Sequence, residues 1–152
     1  MQYIREVTIR YDKKTKAAIP VRKPDDIAKL SRKLIKENGK EHVILFCLDG
    51  NHAVCAYNIV SIGGQTSAPI HPREIFQMAL LAGSVSIILA HNHPSGNPEP
   101  SREDLSVTAA LSDAAKLLGI RFLDHIIVGD QSFYSMSDAG HLKAASRKSL
   151  IG

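Results

Sequence analysis

Apolar and polar positions alternate from Tyr3 to Tyr11 with the two-residue period of a first strand, and the basic Lys13-Lys14-Thr15-Lys16 that follows reads as a solvated turn or edge. Pro24-Asp25-Asp26 puts a proline and two acids where a helix begins. Ile27, Leu30, Leu34 and Ile35 then recur at helical spacing until Asn38-Gly39 supplies a stop. Glu41 to Leu48 and His52 to Ile62 are rich in strand formers, and Asp49-Gly50-Asn51 between them predicts an antiparallel hairpin closed off by Gly63-Gly64. A second helix opens at His71-Pro72-Arg73-Glu74 and closes at Gly83. Ser84 to Ala90 is dominated by apolar residues, the pattern of a strand buried on both faces. The segment from His91 to Pro100 is too rich in proline to extend a strand or form a helix interior, so it predicts a loop at the carboxyl end of that strand. A third helix follows from Ser101 to Gly119, then two strands, Ile120 to Gly129 and Ser132 to Met136, and a basic tail over 143–152. The order β-α-β-β-α-β-α-β-β, without repeats or a linker, predicts one α/β domain with a mixed sheet flanked by helices.

The 152 residues suit a single domain that buries roughly 68–70% of its unfolded surface. The longest apolar runs have strand length, so no membrane span is expected. The opening Met1-Gln2-Tyr3-Ile4-Arg5-Glu6 is unlike a signal peptide, which makes a cytoplasmic location the expectation. Cys47 and Cys55, on either side of the predicted turn, read as small buried hydrophobes in a reducing compartment. With 19 Lys plus Arg against 15 Asp plus Glu the net charge is +4, which keeps nucleic acid as an alternative partner. The basic residues are spread along the chain, however, with four Tyr, four Phe and no Trp to stack on bases, so that reading is weak.

Chemistry concentrates in the Pro-rich segment. Residues i and i+2 of an extended chain project to one side, so His91 and His93 can aim both imidazoles at one point. Neutral imidazole is a natural Zn²⁺ ligand, and a catalytic zinc site takes three protein ligands and leaves one position open. Asp104, in the first turn of the third helix, is within reach as a third ligand. Ser101-x-x-Asp104 is equally a capping box for that helix, so both roles stay open on the spacing alone. His125, beside Asp124 on an apolar strand, reads as a core residue or a support behind the site. Ser95 reads as a turn residue, His71 as a helix start, and His42, His52 and His141 as surface or edge residues. Zinc nucleobase deaminases need H-x-E followed by P-C-x-x-C, and no C-x-x-C occurs here.

The full spacing, His91-x-His93, seven residues, Ser101, two residues, Asp104, resembles the JAMM (MPN/JAB) metalloprotease motif at all four specified positions. Ile70 to Phe76, Ile88 to Pro98, Pro100 to Leu105 and Leu123 to Asp130 resemble the RadC branch of that superfamily, over about residues 19–142. The resemblance implies a cytidine-deaminase-like α/β architecture and a Zn²⁺ ion held by His91, His93 and Asp104. It also implies that Glu41 handles the proton of a water and that Ser101 donates to an oxyanion. The expected activity is hydrolysis of a peptide or isopeptide bond, with a peptide or protein as substrate. The family is associated with DNA repair, and its longer members carry an N-terminal helix-hairpin-helix segment with no counterpart here, which weakens an expectation of DNA binding.

Overall fold

The computed structural model describes residues 3–14, 16–63 and 70–142. The elements follow in the order β1 (Ile19–Pro20), α1 (Pro24–Leu34), β2 (Glu41–Leu48), β3 (Ala53–Gly63), α2 (Pro72–Leu81), β4 (Ser86–Asn92), α3 (Arg102–Leu118), β5 (Arg121–Val128) and β6 (Phe133–Ser135). One six-stranded sheet has the order β1-β3-β2-β4-β5-β6. Only β4 and β5 run parallel, joined through α3, and every other described pair is antiparallel. This is the mixed α/β sheet predicted from the pattern.

The two faces of the sheet are covered by different helices. Val43, Leu45, Cys47, Ile87 and Leu89 pack with Ile75, Phe76 and Ala79 of α2 and Leu111 and Ala115 of α3. Ile44, Phe46, Leu48, Ile88 and Ala90 pack on the opposite face with Ile27 and Ala28 of α1. Strict alternation in β2 and β4 therefore feeds two cores, which is why both strands read as nearly unbroken apolar runs. Asp26 starts α1 by accepting from the backbone N–H groups of Arg22 at 2.8 Å and Lys23 at 3.1 Å. Those bonds, that of Arg22 foremost, hold its carboxyl below the usual range.

Four local expectations change. Tyr3 to Tyr11 forms no strand: Tyr3, Ile4, Val7, Ile9 and Tyr11 are all exposed, and the outer edge of β3 at Ala53 and Val54 is taken by Ile19–Pro20. Alternation makes a strand only where a neighbour completes the ladder. β4 continues through His91 and Asn92, because His91 sits opposite both Val43 and Ile127 and Asn92 opposite Val128. Paired edges on both sides carry the strand past the point where its apolar run stops. The hairpin turn is present, but its left-handed residue is His52, at φ 58°, while Asp49 Oδ1 accepts from the N–H groups of Asn51 and Ala53. Finally, His42 is buried rather than at the surface, and Cys55 is exposed while Cys47 is buried, with both thiols free. The expectations for Met1, Gln2, Thr15, Gly64 and residues 143–152 lie outside the described residues.

The far end of the sheet is pinned by a buried carboxylate. Asp124 accepts from the Ser135 hydroxyl at 2.6 Å and from the backbone N–H groups of His125 at 2.8 Å and Ser137 at 3.0 Å. Burial raises its pKa, and these three donors work against that rise. Replacing Asp124 by Ala leaves the donors without a partner. The expected loss is about 2–3 kcal/mol of unfolding free energy in urea, against less than about 0.5 kcal/mol for Leu117→Ala on the exposed face of α3.

Candidate metal centre

The register of the sheet brings the site together. Val43 of β2 pairs with His91 of β4, and Leu89 of β4 pairs with His125 of β5. Glu41, His91 and His125 are each two residues along from or level with members of the α2/α3 core, so all three side chains fall on that face. The chain then turns over Pro94-Ser95 and returns through a Pro-rich stretch, and α3 begins beside the end of β4.

Backbone bonds hold that turn in place. His93 N–H donates to the carbonyl of Val128 at 3.1 Å, extending the β4–β5 ladder one residue, and Asp130 N–H donates to the carbonyl of Gly96 at 3.0 Å. Gly96 has φ of 82°, and a Cβ there would collide with the Asp130 carboxylate. On the other face of the sheet Asn92 substitutes for a missing ladder partner. Its Oδ1 accepts from His42 N–H at 2.6 Å and its Nδ2 donates to the Lys40 carbonyl at 2.9 Å, which secures the strand end that carries Glu41.

Asp104 does two things with one carboxylate. It completes the capping box of α3: Oδ2 accepts from Ser101 N–H at 2.9 Å, and Ser101 Oγ accepts from Asp104 N–H at 3.1 Å. It also faces the histidines, with Oδ1 3.3 Å from His91 Nε2 and Oδ2 3.2 Å from His93 Nε2. The two readings of Ser101-x-x-Asp104 that the spacing left open are therefore compatible. Burial by itself would raise the pKa of Asp104, and the contacts with His91 and His93 outweigh it and hold the carboxyl far below the ordinary range. The hydrogen bond to Asp104, opposed by burial, raises that of His93.

The donor set fits a cation. His93 Nδ1 lies 2.8 Å from the carbonyl of Asn97, which can only accept, so that nitrogen carries the proton, and in the neutral ring Nε2 presents a lone pair. The Nε2 atoms of His91 and His93 are 3.0 Å apart, close enough that a proton or a cation must lie between them. Donors around a tetrahedral ion at about 2.0–2.1 Å stand about 3.3 Å from one another, against the 3.2 and 3.3 Å from Asp104 to the two rings. His91, His93 and Asp104 form the one group of this kind among the described residues. Glu41 lies at the rim, its Oε1 4.0 Å from His91 Nε2 and its side chain 35% exposed. A cavity of about 620 Å³ opens over these residues, walled by Val43, Ile70 and Val107 and by Arg102, Glu103 and Ser106 of α3.

All five site residues singled out from the sequence thus border one cavity. The supports were not picked out as such. Asn92, Thr108 and the Asn97 carbonyl have no motif of their own, and of the two buried histidines other than His91 the sequence points to His125 but not His42 as a support behind the site. His71 stands at the start of α2, without a side-chain capping bond, and Ser95 sits in the turn with its Oγ accepting from Asn97 N–H, as expected.

A mixed α/β sheet with two histidines at the end of its central strand and an aspartate in the next helix, a group able to hold a metal ion, is the arrangement of a JAB/MPN-type domain. Residues 21–141 match the family described as the RadC-like JAB domain, and the chain belongs to that family. It is 43% identical over 120 residues to a UPF0758 protein of Methanosarcina barkeri and 45% identical over 120 residues to one of Methanosarcina mazei, covering 79% of this chain and 52% of each relative. A UPF0758 protein of Clostridium perfringens is 41% identical over 122 residues, 80% of this chain and 54% of that protein. The chain thus spans about half the length of the curated relatives it matches. No helix among the described residues is long and apolar enough to cross a membrane.

Binding of Zn²⁺ to the folded state alone stabilises it by about 2.7 kcal/mol at a free concentration 100 times the dissociation constant. Thermal unfolding of the metal-stripped protein is therefore expected to shift upward on adding Zn²⁺, and the shift is expected to vanish in His93→Ala.

Proposed function

We propose that this domain is a zinc-dependent hydrolase of amide bonds, acting on a peptide or isopeptide through water rather than a covalent enzyme intermediate. The observation that carries the reading is the convergence of His91 Nε2, His93 Nε2 and the Asp104 carboxylate at 3.0–3.3 Å, with the Glu41 carboxylate beside them in an open cavity. When bound by those three residues, Zn²⁺ supplies Lewis acidity that brings the pKa of a water to about 7.

The chain's own groups supply the rest. Glu41, partly in solvent, is free to accept a proton at Oε1 and return it to the leaving amine, since among the described residues its carboxylate has only the 4.0 Å contact with His91. Ser101 uses an oxygen lone pair for the helix cap, so its O–H stays available to donate to an oxyanion in the cavity. The amino terminus of α3 points its dipole at the same region and favours negative charge there. The apolar wall of Val43, Ile70 and Val107 offers a surface for a side chain of the substrate.

Metal analysis and a panel of fluorogenic peptides and isopeptides test the reading together. The native protein is expected to carry one equivalent of zinc, His91→Ala and Asp104→Ala none. Glu41→Gln is expected to keep the zinc and lose hydrolysis, and Ser101→Ala to lower kcat by about 10²–10³. A native protein that refolds fully and takes up no zinc overturns the metal centre. A Glu41→Gln variant that cannot bind zinc overturns the role given to Glu41.

A further inference from the structure

Behind the cavity lies a buried polar chain that the hydrolytic roles above do not use. It runs from the backbone of Asp104 through Thr108 and His125 to the rear nitrogen of His91, crossing from α3 to β5 to β4. We propose that Thr108 and His125 are positioning residues that lock His91 with its proton on Nδ1, so that its Nε2 lone pair is always directed at His93 and Asp104. The inference rests on the reading of His91, His93 and Asp104 as metal ligands.

Proton counting along the chain carries the argument. The Asp104 carbonyl can only accept, and Thr108 Oγ1 lies 2.7 Å from it, so the single hydroxyl proton is committed there. The same oxygen lies 2.6 Å from His125 Nδ1 and must accept, which puts a proton on that nitrogen. His125 is 1% exposed and its contacts are with a hydroxyl and another imidazole, so it is a neutral ring and its Nε2 holds a lone pair. That lone pair is 2.7 Å from His91 Nδ1, and the contact is a hydrogen bond only if His91 Nδ1 carries the proton. A neutral His91 then has one remaining lone pair, on Nε2.

No other neutral form of His91 satisfies the chain, and an imidazolium would keep the same proton on Nδ1. A proton on His91 Nε2 instead would set two lone pairs against each other at 2.7 Å in a buried site, or force Thr108 to turn its proton away from the Asp104 carbonyl. Metal-binding histidines usually donate their second ring nitrogen to a carboxylate or a carbonyl. Here the acceptor is a neutral imidazole whose tautomer is set by a hydroxyl. The chain ends on the backbone of Asp104, so a ligand on β4 and a ligand on α3 are joined through hydrogen bonds without burying another charge.

Thr108→Val removes the hydroxyl with little change of shape, and Thr108→Ser restores it. Long-range ¹H–¹⁵N spectra of metal-free wild type in mildly alkaline solution are expected to show a proton on Nδ1 of both His91 and His125. Zn²⁺ affinity, read by competition with a chromophoric chelator, is expected to fall about 10–100-fold in Thr108→Val and to stay within a few-fold of wild type in Thr108→Ser. A bare Nδ1 on His91 in the wild type overturns the proposal, whatever the fate of the variants. So does Thr108→Val with wild-type affinity, or Thr108→Ser falling as far as Thr108→Val. A wild type with the expected proton positions and no affinity for Zn²⁺ would overturn the metal reading and leave the relay standing.

Discussion

The carboxylate of Asp104 ties the start of a helix to the end of a strand. Its Oδ2 closes the capping box with Ser101 and meets His93, while Oδ1 reaches His91. Helix α3 must therefore begin where β4 ends, and the Pro-rich segment between them has to span that short gap. The helix amino terminus stabilises a negative charge at this position, so capping and the contact with the two histidines ask the same thing of one side chain. A residue that only capped, such as asparagine, would satisfy the amides and leave the histidine pair without its anionic partner.

Burying this much polarity at the site is tolerable because each buried imidazole there has a partner. His91 and His125 are each 1% exposed, yet every ring nitrogen of both has a partner within hydrogen-bonding distance in the site or the chain behind it. On the α1 face, Asn92 bridges Lys40 and His42 and holds the strand end from which Glu41 projects. The cavity is thus lined on its floor by side chains fixed from behind. At its rim, Ser101 is exposed to solvent and Glu41 partly so. Groups that hold a cation gain from being fixed, and groups that exchange protons gain from access.

Much of this was legible from local pattern. The order of elements, the hairpin, the caps of α1 and α3, and the convergence of His91, His93 and Asp104 all depend on spacings of a few residues or on one loop. The failures share a cause. Tyr3 to Tyr11 has the alternation of a strand and no strand beside it, and β4 outlasts its apolar run because its neighbours keep pairing with it. His42 and Cys55 were assigned the wrong environments because one strand position faces α1 and the other faces solvent, which the local pattern does not distinguish.

The sequence alone determined which donors could meet, because His91 and His93 share a side by strand geometry and Ser101 and Asp104 share a helical turn by capping geometry. Tertiary structure decided what stands behind them and beside them. Thr108, His125 and His91 come from three elements, 17 and 34 residues apart along the two hydrogen bonds that link them. Glu41 comes within 4.0 Å of His91 only through the register of β2 against β4, which sets Val43 opposite His91. Contacts of that kind depend on which strands become neighbours and in what register. That is a property of the packed sheet, in which each strand is selected by burial against the others rather than by its own pattern.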